Sequence, residues 1–169
     1  RDYNFILDLS HMDEASALES LDRYEGPIMA THANCAALMP GSDSNRHLSD
    51  RVIRGLIERG GVNGVLPFNS FLKDGWNRKS GSRREEVPLD IFIAHIDHIC
   101  QLAGNANHAA LGSDFDGGFG AQSIPPELDS IADLQIIASR LIARGYSESD
   151  AEKILGGNWL RFLREHLPA

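Results

Sequence analysis

Apolar residues in this chain fall into two alternating kinds of run. Short continuous stretches, FILDLS (5–10), PIMAT (27–31), GVNGVLPF (61–68) and HAALGS (108–113), read as strands buried on both faces. Between them, apolar positions recur at helical spacing. Ala17, Leu18 and Leu21 share one face of a predicted helix over 13–24, which stops at Gly26. Ser49 is placed as an N-cap before Val52, Ile53, Leu56 and Ile57, and Gly60-Gly61 closes that helix. Pro88 opens the strongest stripe: Leu89, Phe92, Ile93, Ile96, Ile99, Cys100 and Ala103, with Gly104 beyond. After Pro125-Pro126 the pattern predicts helices over 131–143, 147–155 and 159–167. Residues 69–86 are polar and basic without periodicity and read as a long loop.

Strands alternating with helices call for parallel pairing through right-handed crossovers, an α/β fold. Four such units over residues 1–169 fit a small open sheet or half of a (β/α)8 barrel. In either, chemistry belongs at the C-terminal ends of the strands. His11, His32 and Asp114 all occupy that position, and His11 and His32 end consecutive strands.

Composition narrows the partners. The chain has 169 residues, 42% of them hydrophobic, enough for one compact domain with a core. A net charge of −8 with no Lys/Arg cluster argues against nucleic acid and anionic membranes. No apolar run approaches the roughly 20 residues of a membrane span. The start, RDYNFILD, lacks a signal-peptide layout and a Met, and reads as trimmed or excerpted. Cys35 and Cys100 form no CxxC pair and are expected to be reduced thiols, which favours a cytoplasmic setting.

Neutral imidazole is a good zinc ligand, and two histidines on adjacent parallel strands, roughly 4.8 Å apart, can converge on one ion. The segment LGSDFDGG (111–118) puts Asp114 and Asp116 just past a strand, where a carboxylate can shuttle protons beside a metal. A strand followed by DxDG also suggests a phosphatase nucleophile, but only helices follow it here. The calcium-loop pattern fails for lack of further ligands and a closing Glu. His95 and His98 lie on a core helix, His108 at the wrong end of its strand and His166 in the last helix, so all four read as structural. Arg46, in the loop after the second strand, suits a bidentate grip on a carboxylate.

The succession DLSHMDEAS, THANCAAL, NRHLSD, GGVNGVLPF, HIDHI, LGSDFDG and RGYSESDAEKILGGN resembles the renal-type membrane dipeptidases, family M19 of the amidohydrolase superfamily. The resemblance runs in order over essentially the whole chain. It implies a (β/α)8 barrel with a two-zinc site that hydrolyses dipeptides by a hydroxide held between the metals. It matches His11 and His32 to the zinc-binding histidines ending strands five and six, together holding the second of the two metals. Arg46 matches the residue that grips the substrate's terminal carboxylate, although the loop between His32 and Arg46 is longer here. Asp114 matches the proton shuttle ending strand eight, with Asp116 the alternative for that role.

On this resemblance the chain corresponds to strands five to eight and the terminal helices, the C-terminal half of the barrel. The family's HxD pair, metal-bridging glutamate and a further substrate-contacting histidine belong to the first half. Catalytic zinc takes three protein ligands, so the 169 residues alone are expected to bind it weakly. A half-barrel also exposes two sheet edges. The expected partner is therefore the N-terminal half of the same barrel. The alternative is an inactive module whose copies associate through those edges into a homo-oligomer.

Overall fold

The computed structural model describes residues 5–168. Four short strands are all parallel. β1 (Leu7–Asp8) pairs with β2 (Ile28–Met29), and β3 (Asn63–Val65) pairs with β4 (Ala109–Leu111). Ala30 bridges to Asn63 and joins the two pairs in the order β1-β2-β3-β4. The ladder continues through the Ala30 N–H to the Val62 oxygen at 2.9 Å and the Gly64 N–H to the Ala30 oxygen at 2.8 Å.

Side chains along the strands alternate between two apolar clusters, as a period of two requires. Leu7, Leu9, Ile28, Ala30, Ala109 and Leu111 belong to the larger core. Ile6, Met29, Val62 and Ala110 instead pack with Trp159, Phe162 and Leu163. The sheet is covered on both faces, which is why its strands read as unbroken apolar runs.

The first three helices are α1 (Glu14–Arg23), α2 (Asp50–Glu58) and α3 (Leu89–Ala103). Asp13 caps α1 and Ser49 caps α2, each accepting a backbone N–H two or three residues into its helix. The predicted stripe of α3 is buried at Leu89, Phe92, Ile93, Ile96, Ile99 and Cys100.

Three expectations are refined. Residues 131–143 are one 3-10 stretch, Ile131–Gln135, leading into α4 (Ile136–Ala143). α5 (Glu148–Glu152) passes through a wide turn, Lys153–Gly157, that leaves helical geometry at Gly156, and α6 (Asn158–His166) follows without a loop. The stretch 69–86 is a folded loop of three 3-10 turns. It is pinned by buried Trp76, whose indole donates to the Arg83 oxygen at 2.9 Å.

The β4 edge is not bare. Even-numbered residues of this strand face β3, so the oxygens of Ala109 and Leu111 point outward. Asn158 donates to Ala109 at 2.8 Å and Trp159 to Leu111 at 2.8 Å, so α6 supplies the donors that a fifth strand would otherwise bring. Among the described residues no helix is long and apolar enough to cross a membrane.

Candidate functional site

At the end of β1 the Asp8 carboxylate takes over from the ladder. The backbone N–H groups of Ser10 and Thr31 each donate to its Oδ1 at 3.0 Å. The Ser10 hydroxyl donates to the same oxygen at 2.6 Å and the Thr31 hydroxyl to Oδ2. The strands end sooner than their apolar runs suggest because these N–H groups find a side chain instead of a neighbouring carbonyl. Burial acts to raise the Asp8 pKa, but the bonds from Ser10 and Thr31 outweigh it and hold the carboxyl below its ordinary value.

The same knot seats both histidines. The Met12 N–H bonds the Leu9 oxygen at 3.0 Å, closing the turn that carries His11 directly before the α1 cap. The His32 N–H donates to the Ser10 hydroxyl at 2.9 Å, and its ring Nδ1 lies 2.7 Å from the Thr31 hydroxyl oxygen. The two rings meet Nε2 to Nε2 at 3.0 Å, their planes inclined by 67°. This pair suits zinc chemically and would supply two of the three protein ligands that a catalytic ion takes. Among the described residues no group of three His, Cys, Asp or Glu side chains is arranged to hold a metal.

Arg46 reaches the same place. Its Nε donates to the Ser10 oxygen at 3.2 Å, one residue before His11, and its guanidinium lies 5.4 Å from the Phe71 ring centre. Phe71 meets Phe68 edge to face, and Phe68 stacks on Phe119 at 4.7 Å. A row of aromatic rings thus links the Arg46 loop to the loop that carries Asp114.

Asp114 is half-buried and adopts φ 47°, a left-handed conformation that Asp tolerates better than most residues. The Gly117 N–H closes its turn onto the Asp114 oxygen at 2.8 Å. Asp116 points to solvent. Backbone packing brings β4 up to β2: a β-carbon at Gly112 would stand 2.0 Å from the Thr31 oxygen, and one at Gly64 would stand 2.1 Å from it. Only glycine permits that approach, so the chain two residues before Asp114 lies against the residue before His32.

Two further histidines, His98 and His108, are tied into the framework. His98 bonds Asp50 at 2.7 Å, and the His108 Nδ1–H donates to the Gly61 oxygen at 2.8 Å. Cys35 and Cys100 are free and buried, and burial pushes the Cys100 thiol up to about 11.

Asp8, Ser10, Thr31 and Asn34 escaped the sequence reading. Asn34 is fully buried and clamps the end of β3, donating to the Leu66 and Phe71 oxygens and accepting the Leu66 N–H. The available signal was a carboxylate inside the apolar run FILDLS, since a buried charge needs partners.

A parallel strand–helix succession with its polar side chains gathered past the strand ends defines an α/β fold of the kind that binds ligands at that rim. Comparison with known proteins makes the assignment specific: residues 2–167 match the family described as membrane dipeptidase (peptidase family M19), and the chain belongs to it. An uncharacterised Klebsiella pneumoniae protein from the pqqA 5′ region is 37% identical over 158 residues, covering 94% of this chain and 54% of that protein. The dipeptidase ataJ of Aspergillus terreus is 31% identical and aligns over 95% of this chain and 36% of its own length. Among solved structures, the dipeptidase AC, a family M19 metallopeptidase, superposes with a TM-score of 0.81 at 30% identity, covering 98% of this chain and 45% of its own. A Rhodobacter sphaeroides metallopeptidase, liganded with a phosphinate mimic of the dipeptide L-Ala-D-Ala, superposes at 0.80 with 29% identity, over 96% of this chain and 43% of its own. The chain therefore spans about half, or less, of the length of the relatives it matches.

Proposed function

We infer that these residues form the C-terminal half of a zinc-dependent dipeptidase barrel, with His11 and His32 as ligands to one ion. The observation that carries this is the 3.0 Å meeting of their Nε2 atoms at neighbouring strand ends in a member of a metallopeptidase family. Bound zinc would supply Lewis acidity and lower the pKa of its water to about 7. Arg46, tethered beside His11, orients the dipeptide by its terminal carboxylate through a planar pair of N–H groups. The row Phe71, Phe68 and Phe119 runs from beside Arg46 to the loop of Asp114 and would offer the dipeptide an apolar flank. The Asp114 carboxylate accepts a proton from the attacking water and returns it to the departing amine nitrogen. The phosphinate-bound relative supports a dipeptide as substrate. The N-terminal half of the barrel brings the remaining ligands.

The rival reading is an inactive module associating through open edges. The side chains capping β4 weigh against pairing on that side.

Calorimetric zinc titration of the 169-residue chain tests the ligand assignment. One weak site, lost in both His11→Ala and His32→Ala, is expected. Binding indifferent to both substitutions, or two tightly held ions, would overturn it.

A further inference from the structure

We propose that Asp8 is a positioning residue that, acting through Thr31, holds His32 in the tautomer whose Nε2 is free to take a metal ion. The purpose of the device rests on His32 being a ligand; its geometry does not.

An ionised carboxylate only accepts, and four donors converge on Asp8: the N–H and hydroxyl of Ser10 and those of Thr31. The single Ser10 hydroxyl hydrogen is consumed at Asp8 Oδ1, leaving Ser10 Oγ to accept the His32 N–H at 2.9 Å. The single Thr31 hydroxyl hydrogen is consumed at Oδ2. The 3.1 Å contact between the two hydroxyl oxygens therefore carries no hydrogen. Thr31 Oγ1 has only lone pairs left for His32 Nδ1, 2.7 Å away, so the hydrogen between them belongs to the ring. His32 is thereby the Nδ1–H tautomer with a bare Nε2.

Two consequences follow. In the Nε2 to Nε2 contact at 3.0 Å, His11 is the donor and His32 the acceptor. To join the same ion, His11 must give up its Nε2 proton, whereas His32 is already arranged to bind. Metal-binding histidines commonly donate their second N–H to a carboxylate; here a threonine hydroxyl stands between ring and carboxylate and passes the constraint on.

The test is two-bond 1H–15N correlation NMR on the full 169-residue chain with 15N-labelled histidine, metal-free, at mildly alkaline pH where imidazoles are neutral. Wild type is expected to show a protonated Nδ1 and a bare Nε2 at His32. In Asp8→Asn the new amide N–H donates to Thr31, freeing the threonine hydrogen to point at Nδ1, so the tautomer should invert. Thr31→Val should give a mixture, and Thr31→Ser should restore the wild-type pattern. The backbone amide spectrum of each variant checks that it is folded, and Thr31→Ser and Thr31→Val keep the test available should Asp8→Asn fail to fold. An Nε2–H ring or an even mixture in wild type, or a pattern unmoved by both Asp8→Asn and Thr31→Val, would sink the proposal. Added zinc then separates the two claims. Movement of both Nε2 resonances supports the ligand reading; an unmoved His32 Nε2 removes the metal from the argument even with the tautomer as stated.

Discussion

The backbone N–H of Cys35 donates to Nδ1 of His95 at 3.1 Å, a bond that spans 60 residues of chain and locks the loop after β2 onto α3. His95 is fully buried, and burial, with His47 and His98 nearby, pushes its pKa down to about 3. As an acceptor at Nδ1, the ring has to remain neutral.

This bond makes stability depend on pH. The unfolded chain takes up a proton on this residue near pH 6.5 and the folded chain near 3, so stability is fully present above the higher value and falls as pH drops between them. The slope is about 1.4 kcal/mol per pH unit while only the unfolded state is protonated. Asp8, with its folded pKa depressed, adds a second loss as pH falls below the usual carboxylate range. Urea unfolding at pH 7 and pH 5 should show the decline in wild type. In His95→Asn, which keeps an acceptor for Cys35 but cannot titrate, the decline should be much smaller.

Gly112→Ala tests the close approach of β4 to β2. Its β-carbon would collide with the Thr31 backbone oxygen, which cannot move without opening the Asp8 knot. A loss of at least about 2 kcal/mol is expected in chemical denaturation. Gly120→Ala serves as the control, because its nearest neighbour is the flexible end of Gln122 and the change should be close to neutral.

Trp159→Phe keeps an aromatic ring beside Val62 and Ala110 but removes the donor to the Leu111 oxygen. About 1 kcal/mol of stability should be lost. The uncovered edge should also raise self-association, read by sedimentation velocity. A variant as stable and as monodisperse as wild type would show that the indole bond contributes nothing.

Arg46→Lys keeps the charge but loses the planar fork. In the protein that carries these residues, KM for an Ala-Ala dipeptide should rise about 10- to 150-fold with kcat little changed, since a lost charge-assisted bond is worth about 1.5–3 kcal/mol. A blocked C-terminus on the dipeptide should erase the difference between wild type and variant.

Asp114→Asn should lower kcat by about 10²- to 10⁴-fold, the usual contribution of proton transfer by a positioned side chain. Asp116→Asn should leave kcat near wild type, as its side chain faces solvent. The reverse ranking would transfer the shuttle role to Asp116.

Much of the architecture is legible in the order of residues, because it depends on periods that any neighbourhood would reveal. Unbroken runs such as PIMAT call for a sheet covered on both sides, and the stripe from Leu89 to Cys100 calls for a helix laid against it. The strand-end positions of His11, His32 and Asp114 follow from the same runs. The sequence order also carries the family, since the succession of short motifs is specific even where each piece is not.

Tertiary structure alone decided how those ends are built. Nothing local says that Asp8 receives the N–H of Thr31 from 23 residues away, that Gly112 lies against the Thr31 oxygen, or that Trp159 covers the edge of β4. Periodicity reports which face of a segment is apolar. The pairing of one polar atom with another depends on which distant segments come to lie side by side, and burial makes that pairing obligatory once they do.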